Sequence, residues 1–384
     1  MKEELQRRIQ EFQRRIADEN LDMAFIEDAD NIYYLSGYWG YLAMDFGRPT
    51  VLIVPQSGSP TIITPGLEAE MARAMTWVGD IREWTDGVGG EWVAHLQDLL
   101  AGLKSKRIGI LRNKTHPMIL ECLQREFPGA ALVDISDTLG DMRMVKSSEE
   151  IAVMRQAGQV AIAMCQAGVK AIAEGVPEFE VALAVIAGGT RKAAEFLRED
   201  GPDRLFSPTI YNLQILQSGQ ELSMVHRRST VRRIQRGDPV YMCFCGIANF
   251  KQFKLGFDRE YFVGKVSDEH ARLYGIALKA QAAALEMVRP GVPAEEVHAA
   301  ALEVYQKAGF GICYRSGRGI GYSFLEKPEF KEGDKTPLQP GMTFAVDGAI
   351  TIPGEFGARV GDSIVVTKTG FEYLTPYPKD LRIV

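Results

Sequence analysis

The chain has no apolar stretch approaching the roughly 18–20 residues that a membrane-crossing helix needs. It has no excess of positive charge either: 44 Lys and Arg stand against 50 Asp and Glu, for a net charge of −6. A sequence-independent nucleic-acid surface needs cations clustered over most of a face, so that class is set aside. Cysteine is scarce, with Cys122, Cys165, Cys243, Cys245 and Cys313 irregularly spaced. An odd, irregular set argues against a disulfide framework and for a reducing compartment. Cys243 and Cys245 stand two apart in a predicted strand and share a face, but Cys-x-Cys alone is not a zinc site. No metal and no cofactor are expected. Internal repeats and low-complexity linkers are lacking. Met1 to Arg15 is charged and amphipathic, unlike a signal peptide, so a cytoplasmic protein with no membrane partner is expected.

What is present suits two ordinary cores. The 384 residues exceed a typical single domain, and 46% are hydrophobic. Leu5, Ile9, Phe12 and Ile16 fall at helical spacing. Predicted strands at 23–26, 50–54, 61–63, 107–111 and 131–134 then alternate with helices at 68–75, 91–103 and 116–127. The stretch 31–35 reads as a short segment, and 37–47 as a loop rich in Gly, Tyr and Trp. This alternation predicts an α/β domain over residues 1–146. Ser147 and Glu150 have capping-box spacing and open the next domain, 147–384. There, long helices at 151–173, 178–197, 268–288 and 294–308 surround strand-rich segments, including 343–346 and 362–367, which predicts α+β.

The stretch Gln217 to Gly264 organises the second half. It runs from Gln217-Ser218-Gly219 to His226, through the basic run Arg227 to Arg236, and into Val240–Cys245; it ends at Asp258-Arg259-Glu260-Tyr261-Phe262-Val263-Gly264. Clustered β-branched and aromatic residues between turn signals predict two strands flanking a loop. His226 has polar neighbours on both sides. An unperturbed pKa of about 6.5 lets a histidine both take and give a proton near neutrality. Arg227, Arg228, Arg232, Arg233 and Arg236 read as a solvated strand edge.

Taken in order, these segments resemble the pita-bread family of methionine aminopeptidases, prolidases and creatinases. Arg143-Met144-Val145-Lys146-Ser147 with Glu150 resembles the family's inter-domain junction. Gln217-Ser218-Gly219 followed by His226 resembles its histidine loop. Gly317-Arg318-Gly319-Ile320-Gly321 stands where the family has Gly-His-Gly-Ile-Gly. Leu338-x-Pro340-Gly341-Met342 resembles Leu-x-Pro-Gly-Met, and Ala358-Arg359-Val360-Gly361-Asp362 resembles Val-Arg-Ile-Glu-Asp. The resemblance implies a pita-bread fold for the second domain and a homodimer with its site at the subunit interface.

The departures from the pattern carry chemistry. Family peptidases hold two metal ions with two Asp, one His and two Glu. By resemblance, the first Asp position is Cys243 here. The second is Gly256, or Lys254 if no two-residue insertion is made. The His position is Arg318, the Glu positions are Asp347 and Gly361, and a further peptidase histidine becomes Leu325. One carboxylate beside a fixed cation cannot bind a divalent pair, which weighs against a Xaa-Pro metallopeptidase.

The resemblance is instead to the metal-free creatinase branch, which implies His226 as the acid/base. Arg48 and Arg359 would clamp a substrate carboxylate, Arg48 reaching over from the partner subunit. Asp258 and Asp347 would face a nitrogen group, with Arg318 a new pocket cation. Each residue also has a plain structural reading: a surface loop for His226, ion pairs for the arginines, a pair with Arg259 for Asp258. Cys243 reads foremost as a small buried hydrophobe. The expected substrate is a small carboxylate-bearing C–N compound: a guanidino acid, a ureido acid or a cyclic amidine. A C–N or C–S lyase on the same pocket, or a binding protein that has lost catalysis, remain alternatives.

Overall fold

A computed structural model describes residues 2–40, 48–85, 87, 90–101, 107–199, 205–210, 215–245, 249–311 and 314–384. The chain forms two compact units, Met1–Met142 and Arg143–Val384. None of the described helices is long and apolar enough to cross a membrane.

The first unit contains α1 (Lys2–Asp18), β1 (Met23–Ile26), α2 (Ala29–Ser36), β2 (Val51–Pro55), β3 (Thr61–Pro65) and α3 (Gly66–Met75). It continues with β4 (Asp80–Trp84), α4 (Val93–Leu100), β5 (Arg107–Ile110), α5 (Pro117–Glu126), β6 (Ala131–Asp134) and α6 (Ser136–Met144), which runs into the second unit. The six strands make one sheet in the order β4-β3-β2-β1-β5-β6. Strands β1, β5 and β6 are parallel neighbours, and β2 pairs antiparallel with both β1 and β3. Helix α1 buries Leu5, Ile9, Phe12 and Ile16, the residues its spacing singles out. Phe25, Ile53, Ile63, Trp84, Leu96, Ile108 and Leu123 meet in the core.

Two helices here escape the pattern. The short segment at 31–35 belongs to α2, which is fixed at its ends. The Asp28 side chain accepts from Asn31 N, and Gly37 closes the helix with φ 78°. Eight residues are too few to show a period, so local capping rather than spacing defines this helix. Helix α6 likewise has little apolar periodicity of its own.

In the second unit, α7 (Ser148–Ala171) opens with the expected capping box. Ser147 Oγ accepts from Glu150 N at 3.2 Å, and Glu150 Oε2 accepts from Ser147 N at 2.7 Å. The unit continues with α8 (Glu178–Glu199), β7 (Ile215–Ser218), a 3₁₀ turn (Gly219–Ser223) and β8 (Pro239–Cys243). A small hairpin of β9 (Asn249–Phe250) and β10 (Phe253–Lys254) precedes β11 (Asp258–Phe262). Then come α9 (Asp268–Met287), α10 (Ala294–Lys307), β12 (Gly317–Gly319), β13 (Glu326–Phe330), β14 (Thr343–Ile352), β15 (Phe356–Val366) and β16 (Phe371–Tyr373).

An antiparallel sheet runs β13-β12-β14-β15-β11-β8-β7, with β16 on β15. Helix α9 packs on α10 and covers one face of β14 and β15. The core between them holds Phe262, Tyr274, Ala277, Phe344, Val346 and Ile364.

The β14–β15 hairpin is longer than expected. Asp347-Gly348 and Gly361 read as breaks, yet Asp347 pairs with Gly361 and the ladder continues to Ile352 and Phe356. Asp347 and Gly361 face the polar side of the sheet, while Gly348 faces α9, where a β-carbon would stand 2.1 Å from the Ala277 carbonyl. On the α9 side, Arg259 is sealed in. It bonds Asp362 Oδ1 at 2.6 Å and the carbonyls of Tyr377, Pro378 and Gly361, and Gln281 also donates to Asp362. Elsewhere in this unit Glu326 is buried, but Arg143 and Lys146 beside it outweigh that burial and hold its carboxyl down at about 2.

In the first unit, Glu27 follows β1 in a buried position. Its Oε2 accepts from His116 N at 3.1 Å, while Oε1 has no partner among the described groups. Burial pushes its carboxyl up to about 8. The folded state therefore holds a proton that the unfolded chain releases above the ordinary carboxylate range. Stability of this unit should fall as pH rises from about 4.5 to about 8 and level off beyond. In Glu27→Gln that fall should disappear from urea midpoints measured across the same range; an unaltered slope would refute the assignment.

Candidate active site

The polar face of the antiparallel sheet is set by strand alternation. Asp258 pairs with Cys243 on β8 and with Gly361 on β15, and Gly361 pairs with Asp347 on β14. Arg318 on β12 lies opposite Ala345, two residues before Asp347. Side chains two apart on a strand share a face, so Cys243, Asp258, Gly361, Asp347 and Arg318 face one way. Arg259 faces the other way, so its guanidinium is bonded to Asp362 and not to the Asp258 carboxylate.

Contacts confirm the cluster. Arg318 Nη1 donates to Asp347 Oδ2 at 2.6 Å, and its Nη2 approaches Cys245 Sγ at 3.4 Å. The Cys245 thiol donates to Asp258 Oδ1 at 3.1 Å. The Arg318 guanidinium also lies 4.1 Å over the Phe324 ring.

Arg318, Asp258, Cys243 and Cys245 are all at most 6% exposed. Burial raises the Asp258 carboxyl, and the nearby Asp347 charge raises it further. Burial also pushes the Cys243 thiol well up. For Cys245, the hydrogen bond with Cys243 is the largest influence and lowers the thiol, but burial together with the Asp258 and Asp347 charges leaves it raised. Asp347 Oδ1 is buried with no hydrogen-bond partner among the described groups.

Two glycines make room for this arrangement. A β-carbon on Gly256 would stand 2.4 Å from Ala345 Cβ and 3.0 Å from Arg318 Nη2. A β-carbon on Gly361 would stand 2.8 Å from Asp347 Oδ1 and 2.9 Å from Asp258 Oδ2. The two carboxylates thus converge over the bare backbone of Gly361.

Arg359 lies one pair further along the same face, opposite Ala349. Its Nη2 donates to Thr351 Oγ1 at 2.9 Å, and its guanidinium lies 5.6 Å from the Tyr241 ring centre. Glu260 accepts from Arg359 N at 3.0 Å and is pushed well up by burial.

His226 is exposed at a turn between the 3₁₀ segment and β8. Among the described residues, no hydrogen bond or ion pair joins it to the cluster. Its loop is nonetheless anchored. The Gln217 amide donates to the carbonyls of Met224 and Arg227. Glu178, sealed at the start of α8, accepts from Ser218 Oγ at 2.7 Å. It also accepts from both terminal nitrogens of Arg227 and from the backbone and hydroxyl of Thr230. Arg232 pairs with Asp238 at 2.6 Å. The basic run is therefore not simply a solvated edge; Arg227 and Arg232 are ion-paired struts of the loop.

Arg48 belongs to the first unit and is half-buried there; residues 41–47, also in the expected carboxylate-clamp loop, lie outside the described residues.

Glu178 and Glu260 carry no motif that marks them in the sequence, whereas Cys245 stands out there only as the partner of Cys243 in Cys-x-Cys. Glu260 could have been found from its two-residue offset from Asp258. Nothing local marks Glu178, whose partners lie 40 or more residues away.

This arrangement can be set beside known proteins. Residues 152–368 match the model of Metallopeptidase family M24, and residues 8–145 that of the Creatinase/Prolidase N-terminal domain. The chain is 30% identical to the agropine synthesis cyclase of Rhizobium rhizogenes over 97% of its length and 96% of that protein. It is 29% identical to the creatinase of a Bacillus species, covering 98% and 92%. It is also 29% identical to the Xaa-Pro dipeptidase of Lactobacillus helveticus, covering 98% of each. The prolidase of Pyrococcus horikoshii superposes with a TM-score of 0.83 at 25% identity, covering 98% of this chain and 99% of that one. The chain belongs to the creatinase/prolidase family of M24 proteins, with an α/β N-terminal domain and an α+β pita-bread C-terminal domain.

A metallopeptidase family implies a metal centre. The residues present do not fit a pair of hard divalent ions. Asp347 is bonded to a guanidinium, Gly256 and Gly361 offer no ligand, and a permanent cation stands within the cluster.

The packing around Gly256 gives a test. Its N and O are both bonded to Ser363 Oγ, at 3.0 and 2.7 Å, so this backbone cannot easily retreat. Gly256→Ala should cost about 1–3 kcal/mol, visible as a lower urea midpoint, and Ala345→Gly in the same chain should recover part of it. An unchanged midpoint in Gly256→Ala would contradict the crowding.

Proposed function

We propose that this chain is a metal-independent hydrolase acting on a C–N bond of a small carboxylate-bearing compound: a guanidino acid, a ureido acid or a cyclic amidine. The observation that carries the reading is the Arg318 guanidinium, bonded to Asp347 at 2.6 Å and packed against Cys245 in a site bare of side chains at Gly256 and Gly361. Fixed protein charge takes the part that metal ions play in the family's peptidases.

In this reading Arg359, and Arg48 contributed by a second copy of the chain, hold the substrate carboxylate through forked N–H pairs. Asp347 Oδ1, lacking a donor of its own, accepts an N–H of the scissile group together with Asp258. His226 takes a proton from water as the oxygen bonds to the substrate carbon. The C–N bond then breaks and the same proton passes to the leaving nitrogen. A ring-closing condensation is the second reading, favoured by the likeness to a cyclase; hydrolytic ring opening is the reverse of such a step. The partners implied are a small molecule and a second copy of the chain.

Mass-spectrometric turnover of a pooled panel tests this. The panel should hold guanidino acids, ureido acids, cyclic amidines and Xaa-Pro dipeptides, with chelator present. Product should form from a non-peptide member, and His226→Ala should reduce it by about 10²–10⁴-fold without altering the thermal midpoint. Turnover that survives in His226→Ala removes the histidine from its role. Chelator-sensitive cleavage of the dipeptides alone would replace the reading with a peptidase.

A further inference from the structure

Cys243 and Cys245 have no part in the proposed reaction, yet the fold does something with them that the sequence cannot display. Their sulfurs and an Asp258 oxygen all lie within 4.8 Å of one another, and all three residues are buried. Alternation puts both thiols on one face of β8, and the direct Asp258–Cys243 pairing brings the carboxylate in from β11. A second observation points to the same place. Asp347 Oδ1 is buried without a partner, and it converges with Asp258 Oδ2 over Gly361, each within 2.9 Å of one point.

We propose that Cys243, Cys245 and Asp258 bind a single thiophilic divalent cation of the zinc class, with Asp347 Oδ1 as the fourth donor. The two sulfurs and the Asp258 oxygen at this spacing need to close by only about an ångström or less to reach three corners of a tetrahedral set with metal–sulfur distances near 2.3 Å. Thiolates select zinc-class ions over the hard ions that carboxylate sites take. Arg318 borders the set through Cys245 Sγ and Asp347 Oδ2 and offsets part of its negative charge. The half-buried Asp347 side chain, 26% exposed, is the open side by which an ion enters. Because the ion uses Asp258 and Asp347, it excludes substrate from them. In a protein that turns over without metal, the ion is an inhibitor. The binding itself does not rest on the reaction proposed above.

Cadmium is the probe, because cadmium–thiolate bonds absorb in the ultraviolet. Cadmium chloride alone is titrated into the full-length protein without chelator, and zinc is then added in competition. Wild type should show the charge-transfer band saturating at one equivalent and reversed by zinc. Cys243→Ser, Cys245→Ser and Asp258→Asn should each weaken binding at least tenfold. Cys165→Ser, which alters a buried thiol hydrogen-bonded to Tyr261 elsewhere in the unit, should titrate as wild type. Should any single variant fail to fold, saturation of the wild type at one equivalent and reversal by zinc still decide the matter. No band at one equivalent in wild type overturns the site. A band that persists at full strength in folded Cys243→Ser and Cys245→Ser, or that vanishes in Cys165→Ser, does so too.

Discussion

A guanidinium enclosed by protein is the constraint on which the catalytic-type unit depends. Arginine cannot release its charge, so Arg318 must be compensated where it stands. Asp347 supplies the compensating charge, Cys245 supplies a polarisable sulfur, and the Phe324 ring supplies its electron-rich face. The requirement spreads outwards. Asp347 must remain in the ladder opposite Gly361, Gly256 must stay bare beneath the guanidinium, and Ser363 must tie Gly256 down. Removing one partner of such a pair leaves a buried charge uncompensated, so the local packing is organised to keep both.

The neighbouring carboxylate follows from the same arithmetic of charge. Two acidic side chains converge over Gly361 and only one has the cation. Asp347 is the member paired with that cation, while burial and the Asp347 charge raise the Asp258 carboxyl, which lies beside two buried thiols. The sheet thus offers, side by side, an ion pair and a set of proton-bearing groups. The histidine sits on a loop held by Glu178 at the start of α8 and by Gln217 of the edge strand β7.

Much of this was legible in the residues. The helix of apolar residues at Leu5, Ile9, Phe12 and Ile16, the capping box at Ser147 and Glu150, and the long helices of the second domain follow directly from spacing. The identities of Arg318, Asp347, Asp258 and Arg359 followed from ordered motifs. What spacing could not supply was partnership across the chain. The pairing of Arg259 with Asp362 rather than with Asp258 is decided by which way a strand faces. The anchoring of the His226 loop by Glu178 is decided by a helix start some 50 residues upstream. Helix α2, defined by an Asx cap and a left-handed glycine, and the full β14–β15 hairpin, whose polar residues look like breaks, were obscured for the opposite reason: local chemistry there outweighs period.

The bare backbone at Gly256 and Gly361 also bears on how such a site can change over time. A carboxylate introduced at 256 would meet Ala345 and the guanidinium, and one introduced at 361 would meet two acids already in place. Replacing Arg318 alone would leave Asp347 without its counter-charge. No single substitution therefore leads smoothly from this arrangement to one built around hard metal ions, nor back.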